Sequence, residues 1–179
     1  PEVLVCFNPA ALKVNLDVVN KGGLIIVNED EFTDKNLKKA GFDGNPLDPS
    51  SDTLKDFRVH KIPITTLTLQ ALDEMDMGHG DKLRCKNFLA LGVVSWLFSR
   101  PLEPIEKFLN KKFGKKPQVL EANLKVLHAG FNICDTMEIF PVMYKVPPAK
   151  LEPGTYRNIN GALATSYGLL VASQKIDIP

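Results

Sequence analysis

The chain predicts an α/β fold in which a parallel sheet is covered by helices, and three observations carry that expectation. Residues 3–7 (VLVCF) and 24–27 (LIIV) are short apolar runs rich in β-branched residues, and neither alternates apolar with polar positions. Runs of that kind describe strands buried on both faces, as parallel strands under helices are. Between them Leu12, Leu16 and Val19 recur at helical spacing up to Gly22 and Gly23, which gives strand, helix, strand. The alternation then repeats downstream, the pattern of a layered α/β domain. The first strand opens at the very start of the chain, so the expectation is a sequence that begins inside a domain.

The following elements read in order. Thr33 or Asp34 caps a short helix that Gly41 ends, and residues 43–52, rich in Gly, Pro, Asp and Ser, form a surface loop. Residues 57–62 (FRVHKI) give a third strand, which Pro63 ends before a helix over 65–72. Residues 75–82 (MDMGHGDK) read as a turn. His79 stands there between two glycines without a second histidine or paired carboxylate at ligand spacing, so it reads as a loop residue. Gly78 and Gly80 do not complete the G-x-G-x-x-G pattern that joins a strand to a helix in dinucleotide sites.

Residues 82–98 predict one helix, apolar on nearly every side after Asn87, sandwiched between the sheet and another surface. Gly92 and Ser95 let a neighbour approach closely, and Trp96 reads as core or as an interface anchor. In the next helix Leu102, Ile105, Leu109 and Phe113 form one stripe, Lys107 and Lys111 face water, and Gly114 stops it. Pro117 opens another helix with Leu120, Leu124, Leu127 and Phe131 on one face, Glu121 four residues before Lys125, and His128 beside the stripe as a structural histidine. The run Lys111, Lys112, Lys115, Lys116 reads as a solvated helix end, with a phosphate or acidic partner as the other reading.

Composition bounds the function classes. The 179 residues carry 22 Lys plus Arg against 21 Asp plus Glu, so no net field draws the chain to nucleic acid or to an anionic membrane. The apolar run over residues 88–98 is too short to span a bilayer, which needs about 20 residues. Cys6, Cys85 and Cys134 are too far apart for a C-x-x-C motif and odd in number, which favours buried free thiols in a reducing cytoplasm over a disulfide framework. Domain organisation follows the prolines. Residues 1–140 read as one domain, 141–154 with prolines at 141, 147, 148 and 153 as an extended linker, and 155–179 as the start of a second unit. That unit carries a small-residue helix over 162–173 against which something packs closely, and it is too short to be a domain alone.

The order of segments FNPAA, GGLIIVNED, KNFLALGVVSWLF, PIEKFLNKKF, VLEANLKVLHAG, the proline-rich linker and YRNINGALATSYGLLVAS resembles the alpha subunit of 2-oxoacid:ferredoxin oxidoreductases, more narrowly the 2-oxoglutarate type. The resemblance implies a Rossmann-like gamma domain with a parallel sheet, lacking its N-terminal part, followed by the truncated first segment of a thiamine-diphosphate-binding (pyrimidine) domain. It implies oxidative decarboxylation of 2-oxoglutarate to succinyl-CoA with electrons passed to ferredoxin, pyruvate or a branched 2-oxoacid being the near alternative substrates. By the same resemblance thiamine diphosphate and magnesium are shared with a beta subunit, coenzyme A is a substrate, and the iron-sulfur cluster sits in the partner subunit. Where relatives commonly read Y-R-x-I-T-G-N, this chain has Ala162 in the last position, which removes an amide side chain.

Candidate binding residues are few, and none is assigned to catalysis or to a metal. Asn8, Pro9 and Ala10 follow the C-terminal end of a strand, where ligands approach open α/β sheets. They bear on coenzyme A or, equally, cap the next helix. Arg157, Asn160 and Gly161 stand at the entrance to the second unit, with Arg157 suited to a carboxylate or phosphate or to a structural ion pair. Two rivals come from other classes: a non-catalytic α/β interaction module docking through residues 88–98, and a nucleotide-dependent dehydrogenase, which lacks its glycine fingerprint.

Overall fold

In the computed structural model, which describes residues 1–175, a three-stranded parallel sheet has its strands in sequence order. β1 (Val3–Cys6) pairs with β2 (Leu24–Asn28), and β2 with β3 (Arg58–Ile62), in the registers Val3 to Leu24 and Leu24 to Arg58. Every residue of β2 is buried, as its unbroken apolar run requires. β1 departs from the expectation of two-sided burial. Val3, Leu4 and Val5 are half-buried and only Cys6 is fully enclosed, because among the described residues β1 has a neighbouring strand on one side alone.

The strict two-residue period of a strand divides these side chains between two cores. Ile25 and Val27 join Cys6, Leu12, Leu37 and Leu54 on one face, while Leu24 and Ile26 join Ile62, Leu89, Val93 and Val126 on the other. The first face is covered by α1 (Pro9–Asn15) and α2 (Asp34–Lys39). α1 runs on as a 3-10 turn, Leu16–Val18, and Gly22, in the left-handed region at φ 76°, turns the chain into β2.

The second face is covered by α3 (Ile64–Ala71), α5 (Lys86–Leu97) and α7 (Pro117–Thr136), with α4 (His79–Arg84) packed on α3 and α5, and α6 (Glu103–Phe113) packed on α7. Two expectations change here. The turn over 75–82 gives way at His79 to α4, and the single helix over 82–98 is broken at Cys85, whose amide closes a tight bond to the Lys82 carbonyl at 3.0 Å. The buried face of α7 is Ala122, Asn123, Val126, Leu127, Gly130 and Cys134, with Leu120 and Leu124 only half-buried. The stripe is rotated because α5 presses against α7 so closely that small residues must line the seam. An alanine methyl at Gly92 would stand 2.2 Å from the Leu127 carbonyl oxygen, and one at Gly130 would stand 2.1 Å from that of Leu89.

After α7 the chain folds back onto the sheet. Phe140 meets His60 of β3 at a tilt, ring centres 4.7 Å apart, and stacks on Trp96 at 6.0 Å. The Tyr144 amide donates to the Leu97 carbonyl at 2.7 Å, Ser99 donates its hydroxyl to the Tyr144 carbonyl at 3.0 Å, and Arg58 donates to the Tyr144 hydroxyl at 2.9 Å. This first unit extends over Pro1–Val146, and a second begins at Pro147. The second has no regular structure until α8 (Gly161–Lys175), where the Asn160 side chain accepts from the Leu163 amide at 2.9 Å. Asn160 is therefore an N-cap. The last residues of the predicted second unit, 176–179, lie outside the described residues.

Candidate functional site: the C-terminal rim of the sheet

Parallel strands end at one edge, and here that edge gathers the exits of β1 and β2 with the starts of α1, α3 and α5. Asn8, after β1, is exposed, and its side-chain oxygen accepts from the Ala11 amide at 2.9 Å. It is the N-cap of α1, with Pro9 buried in the first turn and Ala10 exposed. Only its amide nitrogen stays open to a ligand.

The sequence reading missed the residue that fixes this rim. Asn28, the last residue of β2, is fully buried. It donates to the Thr65 hydroxyl at 3.0 Å and accepts from the Thr65 amide at 3.3 Å, so both ends of its carboxamide are spent on locking β2 to the first turn of α3. Asp30 repeats the device on the next residue of α3, accepting from the Thr66 amide at 2.8 Å and hydroxyl at 2.9 Å. Glu31 meets Lys86, at the start of α5, at 3.5 Å, and the Lys86 ammonium lies 6.0 Å from the centre of the Phe7 ring. The signal in the sequence was the polar triplet directly after a fully apolar strand, but its partners stand 37 residues away and only the fold brings them together.

Cys6, beside the rim at the end of β1, has its thiol pushed up to about 12 by burial and stays protonated, which removes its nucleophilicity. Burial does the same to Cys134, with Asp135 adding to it, and it raises Cys85. All three thiols are free and buried, as the sequence reading expected. An iron-sulfur cluster needs converging thiolates, so these cysteines do not fit one. Among the described residues no group of three or more His, Cys, Asp or Glu side chains converges to hold a metal ion. A cleft of about 280 Å³ opens near the rim between Glu29, Asp30, Asn45, Asp48 and Lys61, whose ammonium donates to the Leu47 carbonyl at 2.7 Å.

The other expected site residues belong to the second unit. Arg157 is exposed and makes no ion pair among the described residues, Asn160 caps α8, and Gly161 is its first residue. His128 meets Glu106 at 2.9 Å as a partnered surface histidine. No helix among the described residues is long and apolar enough to cross a membrane.

Sheet and crossovers together define an α/β domain with a parallel sheet and flanking helices, a class whose members take ligands at the C-terminal strand ends. Residues 1–133 match the family described as pyruvate ferredoxin/flavodoxin oxidoreductase, and the chain belongs to that family. It is 47% identical over all 179 residues to the 2-oxoglutarate oxidoreductase subunit KorA of Mycobacterium tuberculosis (strain H37Rv), of which it spans 27%. The fold resembles that of a 2-oxoglutarate:ferredoxin oxidoreductase from Magnetococcus marinus, solved with 2-oxoglutarate, coenzyme A and succinyl-CoA bound. That likeness has a TM-score of 0.55 at 23% identity and covers 83% of this chain and 22% of that one.

Proposed function

We propose that the chain is part of the alpha subunit of a 2-oxoglutarate:ferredoxin oxidoreductase. The observation that carries this reading is the 47% identity, sustained from the first residue to the last, to a 2-oxoglutarate oxidoreductase subunit. In the reaction 2-oxoglutarate loses carbon dioxide, coenzyme A takes the succinyl group, and two electrons pass singly to two ferredoxins. Thiamine diphosphate, held with magnesium between this subunit and a beta subunit, supplies the carbanion chemistry. The donor set described above fits neither the metal nor the cluster, so this chain's part is to bind and orient.

On this reading residues 1–140 are the gamma domain, 141–154 the linker and 155–179 the start of the pyrimidine domain, in a cytoplasmic enzyme. The free amide of Asn8, with Pro9 and Ala10 setting the loop, flanks coenzyme A at the rim. Lys86 offers a positive charge on the same edge, partly balanced by Glu31. Arg157, Asn160 and Gly161 border the cofactor cavity, Asn160 and Gly161 by fixing the start of α8.

The complete enzyme, co-expressed with its beta subunit, should reduce a low-potential acceptor only when 2-oxoglutarate and coenzyme A are both present. Its kcat/KM should favour 2-oxoglutarate over pyruvate and 2-oxoisovalerate. A preference for either of those substrates would transfer the chain to the corresponding oxidoreductase. Turnover without coenzyme A, or without the beta subunit, would overturn the reading.

A further inference from the structure

Between Lys107 and Lys116 the sequence holds five lysines, no acid and no arginine. All five are exposed, on the outer side of α6 and on the turn that follows it. The helical path runs past the end of α6, because the Gly114 amide donates to the Asn110 carbonyl at 2.9 Å and the Lys116 amide to that of Phe113 at 2.7 Å. Lys107, Lys111 and Lys115 therefore stand one turn apart in a column, with Phe108 and Lys112 starting a second column beside it. At helical rise the strip is roughly 12 Å long.

None of the five lysines meets a carboxylate within ion-pair distance among the described residues. Glu106, the acid next to Lys107 in the sequence, is taken by His128 at 2.9 Å. The Lys112 ammonium rests instead over two rings, 5.4 Å from the centre of Phe108 and 5.3 Å from that of Phe113. Phe108 is 53% exposed and is the one exposed aromatic ring of the first unit among the described residues. Lysines four apart on a helix repel one another, so the column costs α6 stability. The helix dipole offsets that cost for Lys111 and Lys112 in the last turn, but it accounts neither for Lys107 nor for a ring left open to water.

An apolar ring inside a fringe of flexible charges has the anatomy of an interface, the ring serving as anchor and the fringe steering the encounter. Lysine without arginine disfavours a phosphate backbone, which the planar guanidinium recognises best. We infer that the strip from Lys107 to Lys116 docks an acidic, extended segment of a partner protein, with one apolar residue of that segment covering Phe108. Four extended residues at about 3.3 Å each match the length of the strip. A contact this small is transient, formed fast at low salt and readily released.

The probe is a labelled peptide with glutamates on both sides of a single leucine, titrated against the complete enzyme by fluorescence anisotropy at about 0.15 M salt. The same peptide with serine for the leucine, and a single-stranded oligonucleotide of like charge, are the comparisons. The expected result is saturable binding that Lys107→Ala, Lys111→Ala and Lys115→Ala together weaken about tenfold. Phe108→Ser should weaken the leucine peptide about threefold and leave the serine peptide unchanged. Affinity should fall as salt rises, while Lys35→Ala, Lys38→Ala and Lys39→Ala together on α2, an exposed lysine cluster without an exposed ring, should leave it unchanged. Alanine on an exposed helix face favours the fold, so the lysine variants report on docking alone. The inference is overturned by absence of saturation at about 1 mM peptide, by tighter binding of the oligonucleotide, by an equal loss from the α2 variant, or by displacement of the peptide by coenzyme A, which would make the strip part of that site.

Discussion

Replacing Gly92 with alanine tests the packing on which the second core depends. The new methyl would stand 2.2 Å from the Leu127 carbonyl oxygen, 2.7 Å from the Phe131 nitrogen and 3.0 Å from the Gly130 carbonyl carbon. All three are backbone atoms of α7, so no rotamer change relieves the clash. Carbon and oxygen settle at about 3.3 Å or more, so the helices must part by roughly 1 Å. A gap of that size forfeits about a quarter to a half of the dispersion energy along the seam. Leu89, Val93, Val126 and Leu127 lie on that seam, each no more than 1% exposed. Overpacking of this kind costs about 3 kcal/mol, and alanine's better helix propensity returns about 1, leaving a net loss of about 2 kcal/mol.

The chain carries a built-in reporter for this experiment, its single tryptophan, Trp96, on α5 itself. Urea denaturation followed by Trp96 fluorescence should show the midpoint falling by about 1 M. Gly80→Ala is the control, since a methyl there meets nothing within 4 Å in helix α4. It should leave the midpoint unchanged or raise it. Should Gly92→Ala match the wild type while the control behaves as expected, the close crossing of α5 and α7 is refuted.

Asn28→Ala strands the half-buried Thr65 amide and hydroxyl and should cost about 1–2 kcal/mol in the same denaturation assay. Asn8→Ala removes a helix cap worth about 1 kcal/mol and, in the complete enzyme, should raise the KM for coenzyme A; an unchanged KM returns the loop to architecture alone. Burial lowers the pKa of His60 from 6.5, with a backbone bond to Ile139 opposing and the Arg58 charge assisting. The unfolded chain therefore takes up this proton first as the pH falls, so stability holds above 6.5 and declines below it until the folded pKa is passed. His60→Phe keeps an aromatic ring against Phe140 and should flatten that decline in denaturation midpoints compared between neutral and acidic buffers. A thiol-disulfide reagent at mildly alkaline pH should leave the native chain unlabelled and label Cys6, Cys85 and Cys134 after unfolding.

What the sequence made legible is what composition states locally. The unbroken β-branched runs gave the strands, and the stripe through Leu109 located the buried side of α6. The face of α7 was misplaced because leucine spacing points to the bulkiest side chains, whereas the seam selects the smallest. α4 was hidden by its glycines, which read as a turn until the packing of its neighbours supplies what their propensity lacks. At the rim the cap at Asn8 was legible, since capping is a local event, but the locks at Asn28 and Asp30 were not. Their importance exists only once Thr65 and Thr66 have been carried alongside them by the sheet.

The return of the chain at Tyr144 has a bearing on the order of folding. The bond from Arg58 to the Tyr144 hydroxyl joins residues 86 apart in the sequence. That is two doublings longer than the closure from Val3 to Leu24, and costs about 1 kcal/mol more in chain entropy before any contact rewards it. Its companions on Leu97 and Ser99 require α5 to be formed already. The clasp is thus a late event on the route to the native state, a seal closed over a sheet assembled without it. By the usual partition of stability between rates, weakening it with Tyr144→Phe should speed unfolding and leave the rate of folding nearly untouched.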